Sequence, residues 1–161
     1  APSLYEDRKR IAAALLFNIL GGPAMNSRLN SSLRERYGWV YNVECNYTQY
    51  ADTGIVSIIL GCEEEHLSKC IKAVHREIAK LQRKPLSEKA LKAAKKQLLG
   101  QLAVAEDSGE AQALSMAKSL TCYGRVPSDN VAALKVGAVT AEEVQSVANE
   151  VFSNMSTLIY L

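Results

Sequence analysis

The apolar residues of this chain change their spacing near residue 40, and that change constrains the fold more than any other feature. Upstream, Ile11, Ala12, Leu15, Leu16, Ile19 and Leu20 recur at helical spacing until Gly21, Gly22 and Pro23 stop them. Downstream, Tyr41, Val43, Cys45 and Tyr47 alternate with Asn42, Glu44 and Asn46, which describes a strand with one buried face. A chain that switches period in this way must bury a helical stripe and a sheet face against each other.

The remaining elements follow from stop signals and caps. Ser3 and Glu6 form a capping box ahead of the first helix, and a shorter helix is expected from about Asn26 to Arg36, ended by Gly38 in a left-handed conformation. After a turn at Ala51, Asp52, Thr53 and Gly54, the run Ile55 to Leu60 is continuously apolar, so it predicts a central strand covered on both faces. Leu67, Cys70, Ile71, Val74, Ile78 and Leu81 trace a long helix that ends before Pro85. Ser87 caps a further helix with Leu91, Ala94, Leu98, Leu102 and Ala105 on one stripe, and Glu110 to Tyr123 reads as helix stopped by Gly124. Pro127 and Ser128 restart the chain. Thr140 and Glu143 make a second capping box before Val144, Val147, Ala148 and Val151, and Thr157 to Leu161 reads as a closing strand. Two adjacent strands, a run of helices and a returning strand predict an α+β fold, with helices packed on one face of a largely antiparallel sheet.

Composition narrows the function classes. With 161 residues, 48% of them hydrophobic, the chain can bury a core. A net charge of +2 with interspersed signs makes no electrostatic case for nucleic acid or an anionic membrane. Lys89, Lys92, Lys95 and Lys96 read as a solvated helix face rather than a phosphate-binding stripe. No segment approaches the roughly 20 apolar residues that cross a bilayer, and APSLYEDRKR has the wrong charge order for a signal peptide. Cys45, Cys62, Cys70 and Cys122 lack CxxC spacing and read as reduced thiols, the first three on apolar or buried faces.

His66 and His75 belong to neither HxxEH nor HExxH, and a zinc hydrolase needs about three protein ligands. His66 and Cys70 lie one helical turn apart, with no third ligand at that spacing. There is no GxSxG, no cysteine has an obvious base beside it, and Gly21–Gly22 is too short for a phosphate loop. Glu63, Glu64 and Glu65 read as a negative first turn favoured by the helix dipole. What remains is SSLRERYGWVYNVECNY, which ends a helix on Arg34 and opens a strand on Tyr41. That spacing can aim a guanidinium and a phenol at one ligand from two rigid elements.

The strings LLFNILGGPAMNSRLNSSLRERYGWVYNV, ADTGIVSIILGC, LSEKALKAAKKQLLGQL and AVTAEEVQSVANEVF occur in this order along almost the whole chain. Together they resemble the C-terminal half of the peptidase unit in the insulinase and pitrilysin family of zinc metallopeptidases, the inverzincins. The resemblance implies a half-clamshell fold of the LuxS/MPP-like kind, here a single domain over 1–161. It also implies that the domain has been excised from or partnered with a larger peptidase and lacks its first strand. In that family the other half carries HxxEH and the zinc, and this half carries no metal. It contributes an Arg and a Tyr spaced as LRxxxxxxY, which correspond here to Arg34 and Tyr41 as substrate-binding residues.

The chemistry suits those roles. Arg presents a planar fork of donors for a peptide carbonyl or carboxylate. A Tyr hydroxyl can donate to the oxygen that becomes negative as zinc-bound water attacks the scissile carbonyl. Two blander readings also stand: Arg34 answering helix-terminal carbonyls, and Tyr41 sharing the inner strand face with Val43 and Cys45. The expected function is the substrate-contacting, non-catalytic half of a zinc peptidase, inactive alone, with zinc in an HxxEH-bearing partner half and a peptide as substrate. The alternatives are a scaffold or assembly subunit, such as family members in respiratory complexes, and a free-standing peptide-binding module using a strand edge.

Overall fold

The computed structural model describes residues 1–126 and 129–160. The helix α1 (Asp7–Gly21) runs through the middle of the fold and buries Ala12, Ala13, Leu15, Leu16, Phe17 and Leu20. The capping bond expected from Ser3 is present, its N–H donating to Glu6 Oε2 at 2.7 Å, but helical winding begins only at Asp7. The delay has a tertiary cause. Leu4 N–H is taken by the Tyr50 carbonyl at 2.8 Å, which pulls the first residues out of the helix and onto the hairpin.

After α1 a short, wide helix of π type covers Asn30–Arg36, and Arg28 and Leu29 lead into it. The helix expected from about Asn26 therefore starts two residues later and is wound more widely than an α-helix. The strands β1 (Val40–Gln49) and β2 (Gly54–Cys62) pair antiparallel, with Val43 opposite Leu60, Cys45 opposite Ile58 and Tyr47 opposite Val56. Val40, Val43 and Cys45 are buried against the helices. Gly21 lets α1 approach β1 closely, because a Cβ there would stand 2.7 Å from the Cys45 Cβ. Phe17 fills the same interface from α1, its ring 5.1 Å from Tyr47 and 6.0 Å, edge to face, from Phe152.

The helices α2 (Glu64–Arg83), α3 (Glu88–Glu106), α4 (Gly109–Tyr123), α5 (Asp129–Ala138) and α6 (Ala141–Val151) follow. In α6 the capping box is complete: Glu143 N–H donates to Thr140 Oγ1 at 3.2 Å, and Thr140 N–H donates to Glu143 Oε2 at 2.9 Å. Val144, Val147 and Ala148 of α6 pack on α1 and α2, and Gln145 Nε2 donates to the Gln82 carbonyl at 2.7 Å. α2 contributes Cys70, Ala73, Ile78 and Leu81 to the core. It also buries Glu77, whose carboxylate receives Lys80 at 2.7 Å. The architecture is α+β as expected, with helices on one face of an antiparallel sheet.

Several expectations are corrected. Among the described residues β2 pairs only with β1, so it is not a central strand, and Ile55 and Ile59 on its outer face are exposed. Residues 157–160 are not in a strand, with Leu158 94% and Tyr160 98% exposed, and Leu161 lies outside the described residues. Pro127 and Ser128 also lie outside them. The α3 stripe is half-buried at Leu91, Ala94 and Leu98 but solvent-facing at Leu102 and Ala105, and α4 buries none of its residues. Of the lysine-rich stretch, Lys89, Lys92 and Lys96 are exposed, whereas Lys95 donates to the Gly137 carbonyl at 2.7 Å.

Candidate functional site

Arg34 and Tyr41 are both delivered by irregular backbone. Wide winding of the Asn30–Arg36 helix buries Asn30 and Leu33 and leaves Arg34, Glu35 and Arg36 exposed. The helix closes through Gly38 at φ 62°: Gly38 N–H donates to the Arg34 carbonyl at 3.0 Å, and Trp39 N–H donates to the Leu33 carbonyl at 2.9 Å. These nested bonds are of the Schellman kind, one residue wider because the helix is of π type. They answer the helix-terminal carbonyls with backbone donors. Accordingly the Arg34 side chain makes no hydrogen bond or ion pair among the described residues.

Immediately after this closure β1 carries a bulge. Val40 stands opposite Cys62 and Asn42 opposite Gly61, so Tyr41 is the extra residue. An inserted residue resets the alternation of a strand and re-aims its side chain. This corrects the expectation that Tyr41 shares a face with Val43 and Cys45: those two are buried, and Tyr41 is 68% exposed. Its hydroxyl donates to Glu63 Oε1 at the start of α2. That charged acceptor pushes the Tyr41 pKa above its ordinary value, so the side chain is a neutral phenol at physiological pH.

Glu63 was read from sequence only as part of a negative first turn; its pairing with Tyr41 depends on the bulge, which no residue pattern announces. Sequence reading also missed an aromatic stack between the two proposed site residues. Tyr37 and Trp39 lie parallel within 10° with ring centroids 4.2 Å apart. Arg36 Cζ lies 5.2 Å from the Tyr37 ring centroid and Lys69 Nζ lies 5.8 Å from that of Trp39. The signal available was the aromatic pair flanking Gly38, since residues on either side of a left-handed cap are brought back toward each other.

The donor set does not fit a zinc centre in this chain. His66 Nδ1 lies 3.2 Å from Glu65 Oε1, and the His66 ring lies 6.0 Å from Trp39. Cys70 is buried with Cys62 beside it, and burial pushes its thiol up to about 11. Among the described residues no group of three or more His, Cys, Asp or Glu side chains could hold a metal ion. The four cysteines are free thiols; Cys45 is pushed up to about 12 by burial, and Cys62 and Cys122 are only partly buried.

Comparison with known proteins places these features in context. Residues 1–98 match the family model described as the peptidase M16 inactive domain. An uncharacterized zinc protease of Rickettsia felis is 26% identical over 154 residues, covering 95% of this chain and 37% of that protein. Among solved structures, a peptidase M16 inactive domain from Pseudomonas fluorescens superposes with a TM-score of 0.73 at 24% identity, covering 88% of this chain and 34% of the other. A protease from Helicobacter pylori superposes with a TM-score of 0.76 at 18% identity, covering 93% and 36%. The chain thus spans about a third of the length of these relatives.

Proposed function

This chain belongs to the peptidase M16 family as its inactive domain, and on that premise we propose that it contacts the substrate of a zinc peptidase whose HxxEH-bearing half lies elsewhere. That half is in the same polypeptide or on a partner chain, and 1–161 is one domain of the assembly. The observation that carries the proposal is the joint exposure of Arg34 and Tyr41, produced by a π-wound helix and a bulge set back to back. Wide helices and bulges concentrate at functional sites because they re-aim side chains without dismantling the surrounding scaffold. The share of the Rickettsia felis and Pseudomonas fluorescens relatives that the chain covers, about a third, supports a partner half.

Bound in the other half, zinc would supply the activated water and polarise the scissile carbonyl. Arg34, with no partner of its own among the described residues, offers its guanidinium fork to a peptide carbonyl or terminal carboxylate and sets the register of the substrate. The Tyr41 hydroxyl donates a hydrogen bond to Glu63 until a substrate oxygen competes for it, and Glu63 keeps the phenol protonated meanwhile. A donor aimed at the developing oxyanion is worth on the order of 3 kcal/mol.

The experiment uses Arg34→Ala and Tyr41→Phe in the complete enzyme. Each should lower kcat/KM for peptide hydrolysis by about 100-fold, with stability changed by under about 0.5 kcal/mol because both side chains are exposed. Unchanged turnover in both variants would remove the role.

A further inference from the structure

We propose that Arg36, held over the stacked rings of Tyr37 and Trp39, forms a subsite for an acidic side chain of the bound peptide. The inference rests on the substrate-contacting reading of Arg34 and Tyr41 and names a preference that reading leaves open.

The geometry is that of a platform. Rings that are parallel within 10° and 4.2 Å apart close off one face each, so Arg36 and Lys69 can lie only over the outer faces. Tyr37 and Trp39 are half-buried, with Trp39 packed against the edge of the core, whereas Arg36 and Lys69 are exposed. The rings are therefore fixed from below and the charges reach solvent. Three elements support the group: the end of the π-type helix, the start of β1 and the first turns of α2.

Both cations are free to take an anion. Neither Arg36 nor Lys69 has a carboxylate partner among the described residues. Of the nearby acids, Glu63 accepts from Tyr41, Glu65 lies beside His66, and Glu35 and Glu64 face solvent, so none of them occupies Arg36 or Lys69. A cation held only by a ring face at an exposed site is weakly tethered. A carboxylate can add two parallel charge-assisted bonds to that guanidinium without displacing it from the ring. The stack limits how far the guanidinium can wander, so less side-chain freedom is lost when the carboxylate arrives. Arg36 follows Arg34 by two residues in the exposed last turn of the helix, so the two stems leave different sides of it and would meet different positions of one peptide. Lys69 braces the far face of Trp39 and adds a second, weaker attraction.

The test compares peptides that differ only by Glu or Gln at one position, scanned along the substrate, in the complete peptidase. The wild type should show one position where Glu raises kcat/KM about 2-fold to 5-fold over Gln, which corresponds to one exposed ion pair. Arg36→Gln keeps much of the stem over Tyr37. It should bring that ratio close to one while leaving kcat/KM of the Gln peptide unchanged, and Lys69→Gln should lower the ratio by less. Raising the salt concentration should shrink the wild-type ratio and leave the Arg36→Gln ratio alone. The inference fails if no position prefers Glu, or if the preference survives Arg36→Gln. Arg34→Ala and Tyr41→Phe separate the two claims, because they should depress both peptides alike. If they do so while the Glu preference survives Arg36→Gln, only the acidic subsite is lost. If they leave both peptides untouched, the substrate role of the whole junction falls and the subsite with it.

Discussion

The interface between α1 and α6 and the junction from Arg34 to Tyr41 are built by opposite means. In the core that α1 and α6 share, Leu15, Leu16, Leu20, Val144 and Ala148 have almost no exposed surface, and every one of them sits at regular helical spacing. At the junction, winding is too wide on one side of Gly38 and a strand gains a residue on the other, and the side chains so displaced face solvent. Regular winding repeats a contact until water is excluded. Irregular winding spends two local defects to bring unlike side chains, a guanidinium and a phenol, out of the same patch of backbone.

If that contrast is sound, a change in the regular region should be felt in stability and not in substrate choice. Leu16→Ala gives the largest expected effect on stability. Leu16 is fully buried, so the lost transfer free energy and the residual cavity together should cost about 2–5 kcal/mol in urea unfolding. The kcat/KM ratio between any two peptides, measured on the fraction still folded, should stay where it was. A changed ratio would mean that the interior of the domain and its junction are mechanically coupled, and the contrast would break.

The same contrast explains what could be read from the chain beforehand. Thr140 and Glu143 announce the start of α6 because the capping box is a local transaction between neighbouring residues. The inward alternation of Val43, Cys45 and Tyr47 was legible for the same reason. Tyr41 was assigned to the wrong face because a period of two carries parity forward from residue to residue, and one inserted residue resets parity without changing composition. The pairing of Tyr41 with Glu63, which otherwise stands at the negative start of α2 as expected, was hidden in consequence. The apolar run Ile55–Leu60 failed differently: continuous hydrophobicity was read as a strand covered on both faces, whereas Ile55 and Ile59 are exposed. Exposed Ile55, Ile59, Leu114 and Leu120 are in keeping with the proposed partner half.

Gly38→Ala sharpens the contrast from the junction side with a smaller stability effect. Nothing lies within 4 Å of the position a Cβ would take, so crowding is not at issue, and the cost comes from φ 62° alone. A left-handed residue that is not glycine is strained by roughly 1–2 kcal/mol. Part of that strain should be relieved by shifting the turn, which moves Arg34 relative to Tyr41. Turnover should therefore fall by more than the stability loss accounts for, whereas Leu16→Ala should show the reverse. Turnover that merely tracks the folded fraction in Gly38→Ala would show that the closure of the helix does not position the pair.

The smallest effect expected is at the exposed start of α1, where regular winding meets solvent. Asp7 receives hydrogen bonds from Lys135 and, at 2.5 Å, from Arg10, and these partners hold its carboxyl below the usual carboxylate range, Lys135 being the larger influence. A carboxylate whose folded pKa is lowered contributes stability above its unfolded value of about 3.9, and that contribution disappears as pH falls through the lower folded value. Asp7 is about half exposed, so solvent screens both pairs and the contribution at neutral pH should stay under about 1 kcal/mol. Asp7→Asn should accordingly unfold at slightly lower urea than the wild type at pH near 7, and at the same urea once pH is well below about 3. A gap that persists unchanged in acid would come from packing or from the asparagine itself rather than from charge. Catalysis should be indifferent to the substitution at either pH, since neither Lys135 nor Arg10 belongs to the junction.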